Sequence, residues 1–418
     1  MVHPEPSHGP IRRPARRRRR KITALTAAGA AAAAVAVAVV PDAMADRLDL
    51  PFGDSPGEED FLPVDDAVKS IVDIGERVEV SESLGYDDYE AGKRTLRFAK
   101  EGASYVKVHF DRLLLMDGDS LTVSSPDGSE SHTYEDTLLD DWAMSVSGDE
   151  AVLELSVSEN RTSFPGTLGA VVDEVAYGLR DEVVDAAVRD RADGARVPES
   201  NCGSTQRRPV PCYESEHPAM VAQAEPVARL LVDGTTLCTA FTVSEKNRLL
   251  TNNHCFTQDW EAKRTEVWFG YGCRSCRDET PTDPVKVRGD RVLRTDKSHD
   301  YTLFTVDNFR AVRGFGHLEL ADRRAKRGDQ LYIPQHPGGR PKEIAVDPGG
   351  SCEVTRARID GYVEGTDIAY HCDTEFGSSG SPVLSRDSHE VVALHHFGGC
   401  PNSGVSADLV RRDIADLL

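Results

Sequence analysis

Three short stretches carry residue types able to do nucleophilic chemistry together. They are Thr251-Asn252-Asn253-His254-Cys255, then Ser298-His299-Asp300-Tyr301-Thr302-Leu303-Phe304, and last Gly377-Ser378-Ser379-Gly380-Ser381-Pro382. A serine hydroxyl is hardly ionised at neutral pH, so Ser379 needs an imidazole within hydrogen-bond reach to take its proton as it attacks, and His254 is the candidate base. That imidazole must be held in one tautomer and its cation stabilised, which a buried carboxylate such as Asp300 can do. Small residues around Ser379 let the chain turn tightly, so the N–H groups of Gly377 and Ser379 are expected to point at a developing oxyanion. Gly377 should therefore resist replacement. Singly, each stretch says little, since a Gly-Ser loop is a turn in most sequences and Asn-His-Cys usually carries no chemistry. Their joint order gives them weight, as do Leu249-Leu250 leading into Thr251 and Cys238 placed upstream of Cys255.

The order His, Asp, Ser is that of the chymotrypsin type of triad, whereas other folds arrange the same three residues in other orders. Fold and chemistry are thus constrained together. Residues 201–418 resemble secreted bacterial trypsin-like serine endopeptidases, relatives of the lysyl and glutamyl endopeptidases. The resemblance rests on Leu249 to Cys255 as the histidine motif, Asp300-Tyr301-Thr302-Leu303 as the acid motif and Cys372-Asp373-Thr374-Glu375-Phe376 running into Gly377 to Pro382 as the nucleophile motif. Tyr332-Ile333-Pro334-Gln335-His336-Pro337-Gly338-Gly339 and Leu394-His395-His396-Phe397-Gly398-Gly399 match two further segments, which makes His336, His395 and His396 poor candidates for the base. The resemblance implies a mostly β, chymotrypsin-like double β-barrel. It also implies an endopeptidase that cleaves protein or peptide substrates through an acyl-enzyme, with no metal and no cofactor. A homologue that only binds, and a serine esterase, are the competing readings. One departure matters. Animal trypsins place Asp immediately before the nucleophile to receive a newly cut N-terminus; this chain has Ser378, so that activation switch is expected to be absent.

Nine cysteines all lie between Cys202 and Cys400. Such usage suits an oxidising compartment and a separately cross-linked C-terminal half. Cys238 and Cys255 bracket the strand and loop that deliver His254 and are expected to pair. By the resemblance, Cys202 ties to Cys400 and Cys212 to Cys276 or Cys273, while Cys352 with Cys372 completes the set. Cys273-Arg274-Ser275-Cys276 has the CxxC form, but no second CxxC or suitably spaced His pair accompanies it, so zinc or redox chemistry is not expected. By the same resemblance, Asp373 stands where trypsin-like pockets carry the acid that selects basic residues, and Glu375 adds a carboxylate on the same wall. Preference for Lys or Arg at the cleaved position follows. His396 stands where glutamyl endopeptidases receive a substrate carboxylate, which keeps an acidic preference open, and Asp373 as a solvated loop residue is the third reading.

Elements must position these groups, and the chain has length for two or three domains. Residues 1–45 read as an export signal: a basic run to Lys21, apolar residues from Ile22 to Val40, and Ala43-Met44-Ala45 before a cleavage point, with a retained anchor as the alternative. Residues 46–87 are acidic and rich in Pro and Gly, which reads as a loosely ordered pro-segment with a short amphipathic helix around 65–80. Alternation over residues 88–165, with Val106, Val108 and Phe110 on one side and Lys107 and His109 on the other, reads as an antiparallel β-sandwich. Residues 166–200 read as a helical and linker segment. The formal net charge is −21, and the basic residues of the leader mean that the body is more acidic still. This disfavours nucleic acid and anionic membranes, and neither is expected as a partner of the mature form. A secreted monomer is expected.

Overall fold

The computed structural model describes residues 74–158, 168–179, 207–346 and 352–418. Strand propensity with period-two alternation builds two packed sheets at its N-terminal side. One orders Gly75–Gly85, Gly169–Gly178, Tyr105–Leu114 and Leu138–Trp142, with Val146–Ser147 also joined to Tyr105–Leu114. The other orders Thr95–Ala99, Glu150–Ser156, Ser120–Ser124 and Ser131–Tyr134. Val106, Val108 and Phe110 meet Leu96, Phe98 and Leu153 in the sandwich core.

The sandwich is wider than its alternating pattern suggests. Gly75–Gly85, inside the stretch expected to be a pro-segment, is a strand, so residues 75–80 are not helical. It pairs antiparallel with Gly169–Gly178, which lies in the stretch expected to be helical and linker. Each of these strands satisfies its backbone against the other across a long sequence separation, a contact that local composition does not encode. The signal segment, residues 180–200 of the expected helical and linker segment, and Cys202 lie outside the described residues. No helix among the described residues is long and apolar enough to cross a membrane.

The C-terminal half is mostly β and has the chymotrypsin-like double-barrel form, with one closed barrel and one half-barrel. The closed barrel runs Val227–Val232, Thr236–Thr242, Leu249–Thr251, Tyr301–Val306, Val285–Asp296, Glu266–Phe269. An eight-stranded sheet forms the second half, and its central strands are Leu331–Gln335, Pro382–Ser385, Val391–Phe397 and Asn402–Ser406. Phe241, Leu250 and Leu303 from the barrel pack with Leu384, Leu394 and Val405 from the second sheet, and the helix Ala407–Ile414 seals this core with Val410 and Ile414. The candidate catalytic loops leave the strands at this seam.

Both faces of the strand Tyr105–Leu114 are buried from Tyr105 to Phe110, Lys107 and His109 included. The second face lies against the barrel. Lys107 pairs with Glu266, and Ser145 donates to the same carboxylate from its N–H and its hydroxyl, each at 2.8 Å. Trp142 Nε1 donates to Asp233 at 3.1 Å, Arg288 to Asp141 at 3.0 Å and Tyr105 to the Gly234 carbonyl at 2.8 Å. Segment Trp142 to Val146 thus docks the sandwich on the barrel. Burial pushes the Glu266 carboxyl up, but Lys107 and Lys286 outweigh it and hold the group well below the usual carboxylate range.

Candidate active site

His254 sits on the loop that follows Leu249–Thr251, and three ties fix that loop. Asn252 Nδ2 donates to the Asp300 carbonyl at 2.9 Å, Asn253 Nδ2 donates to Thr295 Oγ1 at 2.8 Å, and Cys255 is disulfide-bonded to Cys238 in Thr236–Thr242. That bond uses both sulfurs, so the cluster of Cys238, His254 and Cys255 is a cross-link rather than a metal site. Asp300 immediately precedes Tyr301–Val306 and has φ of 44°, a left-handed conformation that Asp tolerates better than most residues. This turns its carboxylate under the histidine: Oδ1 accepts from the His254 N–H at 3.0 Å and Oδ2 lies 2.8 Å from Nδ1. His254 Nε2 is buried and has no hydrogen-bond partner.

The nucleophile loop is pinned to the same barrel wall. Thr239 N–H donates to the Ser379 carbonyl at 2.7 Å and Thr239 Oγ1 to the Gly377 carbonyl at 2.8 Å, while Thr251 Oγ1 donates to the Thr239 carbonyl at 2.8 Å. Ser379 is thereby tied to the strand that is cross-linked to Cys255. Gly377 has φ of 89°, and a Cβ there would stand 2.9 Å from the His336 carbonyl oxygen. Only glycine fits both constraints. Among the described residues no protein group takes up the Gly377 N–H, as an oxyanion donor requires. Ser378, where a trypsin has Asp, is hydrogen-bonded to Gln335, accepts from the Glu375 N–H at 3.1 Å, and so braces the loop from within.

The expected specificity residues divide. Asp373 is buried, and its carbonyl accepts from Gln335 Nε2 at 2.9 Å. Glu375 is not an open carboxylate on a pocket wall, because Arg207 holds it at 2.6 Å and Arg340 at 2.5 Å. His396 is buried. Its Nδ1 lies 3.2 Å from Asp300 Oδ2 and its Nε2 lies 2.6 Å from Asp367 Oδ2, so both nitrogens already face carboxylates of the chain. Burial alone would lower its pKa; Asp367 first, then Asp300, reverse this and raise it to about 10. For Asp300, burial is outweighed by His254 and then His396, which hold it well below the ordinary carboxylate range. His395 and His336 are pushed down, His395 to about 3, chiefly by burial.

Cysteine pairs Cys212–Cys276 and Cys352–Cys372 are formed as expected, and Cys276 rather than Cys273 is the partner of Cys212. Cys273 is a free buried thiol, and the CxxC stretch is not a pair. Cys400 is disulfide-bonded; its expected partner Cys202 lies outside the described residues. Sequence reasoning missed Asp367, Gln335, Thr239, Arg207 and Arg340. Gln335 lies in a segment that the resemblance singles out, whereas Asp367 has no local motif and meets His396 across Asn402–Ser406, which pairs with both Asp367–Tyr370 and Val391–Phe397.

Residues 238–394 match the family described as the trypsin-like peptidase domain. The chain is 28% identical over 336 residues to Secreted RxLR effector protein 73 of Plasmopara viticola, covering 75% of this chain and 79% of that one. It is 29% identical over 165 residues to Uncharacterized protein y4fB of Sinorhizobium fredii, of whose length the match spans 24%. Among solved structures, a Glu endopeptidase in complex with MPD superposes with a TM-score of 0.38 at 18% identity, over 52% of this chain and 98% of that one. The double-barrel half of the chain is a chymotrypsin-like fold whose residues 238–394 match the trypsin-like peptidase domain.

Proposed function

We propose that the chain is a secreted serine endopeptidase with Ser379 as nucleophile, His254 as base, Asp300 as the orienting acid and the N–H groups of Gly377 and Ser379 as the oxyanion hole. The single observation that carries this reading is His254 held by a buried carboxylate at Nδ1 while its Nε2 stays open. In this reading Ser379 Oγ bonds to the substrate carbonyl carbon as its proton passes to His254 Nε2. The oxyanion collapses, the C–N bond breaks, and the amine leaves with the proton that His254 returns. Water, deprotonated by His254, then hydrolyses the acyl-enzyme. Export is supported by the disulfides and by a relative whose name calls it secreted.

Preference for Lys or Arg at the cleaved position rests on Asp373, a buried carboxylate upstream of the nucleophile. Glu375, neutralised by two guanidiniums, takes no part. Acidic preference loses its support because His396 has no nitrogen to spare. Peptide p-nitroanilides with Lys, Arg, Glu or Phe at the cleaved position test the reading. Lys and Arg substrates should turn over fastest, and S379A should lose about three or more orders of magnitude on all of them. Full activity in S379A would remove the serine mechanism; faster turnover on Glu would remove only the basic preference.

A further inference from the structure

Four basic side chains gather around Glu266 and Trp268 where the sandwich meets the barrel, and three of them are answered. Lys107 pairs with Glu266, Lys286 with Glu130 and Arg288 with Asp141. The fourth, Arg229 from Val227–Val232, is only 4% exposed, and its Nε and Nη1 are buried with no hydrogen-bond partner among the described residues. Its guanidinium carbon lies 4.2 Å from the Trp268 ring centre and 5.5 Å from that of Tyr271. Lys286 Nζ lies 4.1 Å from the same Trp268 ring, so one indole serves two cations. Ring faces offset only part of the cost of taking a guanidinium out of water, and a buried charge left unpaired is otherwise selected against.

Arg229 lines a cavity of about 270 Å³ between the two domains. Ser104, Tyr105 and Ser147 wall it on the sandwich side, and Trp268, Tyr271 and Thr282 on the barrel side. Gly338 and Gly339 close it toward the nucleophile loop, where Gly338 N–H donates to the Phe376 carbonyl. The space suits a small group. Among the described residues the cluster lacks one negative charge, and the exposed Asp283 on the cavity's lining disfavours a dianion.

We infer that this interdomain cavity is a binding site for a single carboxylate group, seated on the Arg229 guanidinium. The carboxylate belongs either to a free small acid or to an acidic side chain of a peptide, and the recognition chemistry is the same. This goes beyond the proposed peptidase activity and does not depend on it. The full chain carrying S379A, which leaves peptide ligands intact under the proposed mechanism, is titrated by calorimetry and tryptophan fluorescence. The probes are acetate, inorganic phosphate and the blocked tripeptides Ala-Glu-Ala and Ala-Gln-Ala. Expected is one saturable site per chain for acetate or the Glu peptide, with phosphate and the Gln peptide at least about tenfold weaker. Tighter binding of the Glu peptide than of acetate assigns a peptide source, and the reverse order a free acid. Arg229→Met should bind about 10–100-fold more weakly yet melt no lower than the parent, since it removes an unpaired buried charge. Arg229→Lys should lose about tenfold by losing the fork. Absence of saturable binding by acetate and the Glu peptide, tighter binding of phosphate than of either, or undiminished affinity in Arg229→Met would each overturn the site. A large drop in melting temperature of Arg229→Met together with full affinity in Arg229→Lys would overturn it as well.

Discussion

Two carboxylates lie at the centre of this molecule, and their surroundings differ in one respect that separates a lock from a candidate reaction centre. Glu266, 0% exposed, stands between Lys107 and Lys286 at the seam of sandwich and barrel; Asp300, 1% exposed, stands between His254 and His396 at the seam of the two barrel halves. Each is buried, each is flanked by two bases, and each is held below the ordinary carboxylate range by them. Both Glu266 oxygens are taken: Lys107, the Ser145 N–H and hydroxyl, and Trp268 Nε1 at 2.8 Å donate to them. Around Asp300 one of the two bases keeps a nitrogen open. Saturation fixes a structure, whereas one unsatisfied nitrogen leaves room for proton transfer.

Breaking each centre should therefore give opposite symptoms. If the proposed triad operates, Asp300→Asn is expected to lower kcat by about 10⁴-fold, because the amide no longer fixes the His254 tautomer with a bare Nε2. Steady-state kinetics on the best p-nitroanilide substrate reads this, with circular dichroism checking that the fold is kept. Loss below about tenfold would mean that Asp300 only packs. Glu266→Gln is expected to cost about 3–5 kcal/mol, because two buried lysines then face a neutral amide. Thermal or denaturant unfolding measures it, and kcat at low temperature should stay near that of the parent. A variant as stable as the parent would show that the seam is not held by this charge.

The smallest effect sharpens the comparison at its closest point. His396 is the saturated base beside Asp300, with Nδ1 and Nε2 on two carboxylates, and the Tyr362 ring centre lies 5.9 Å from its own. Its folded pKa of about 10 lies above the ordinary histidine value of 6.5. The stabilisation is thus fully present below about pH 6.5 and is lost as pH rises through about 10. Tyr362, pushed up to about 12 by burial, titrates outside that window. Melting temperatures of the parent should fall relative to those of His396→Asn between about pH 7 and about pH 10. A constant difference across that range would mean that His396 is not a buried cation.

Sequence legibility follows the range of the interactions. His254, Asp300 and Ser379 are readable as candidates because each sits in a short motif whose neighbours serve the same end. Asn252 and Cys255 fix the histidine loop, and Gly377 with Gly380 shape the nucleophile turn. The contacts of Glu375 and His396 are not legible for a related reason. Their positions match pocket residues of relatives, but Arg207, Arg340 and Asp367 reach them from distant strands and loops and occupy them.

The sequence by itself determined the strand-rich character of the chain, the sandwich core of Val106, Val108 and Phe110, the cross-link beside the histidine and the order of the candidate catalytic groups. These are periodicities and local motifs, written in adjacent residues. Tertiary structure alone decided that Lys107 and His109 are covered, that Gly75–Gly85 belongs to the sandwich, and that Arg229 lines an interdomain cavity with no counter-charge among the described residues. Burial and charge pairing depend on which surfaces meet, and pattern along one strand cannot distinguish a face turned to water from one turned to another domain.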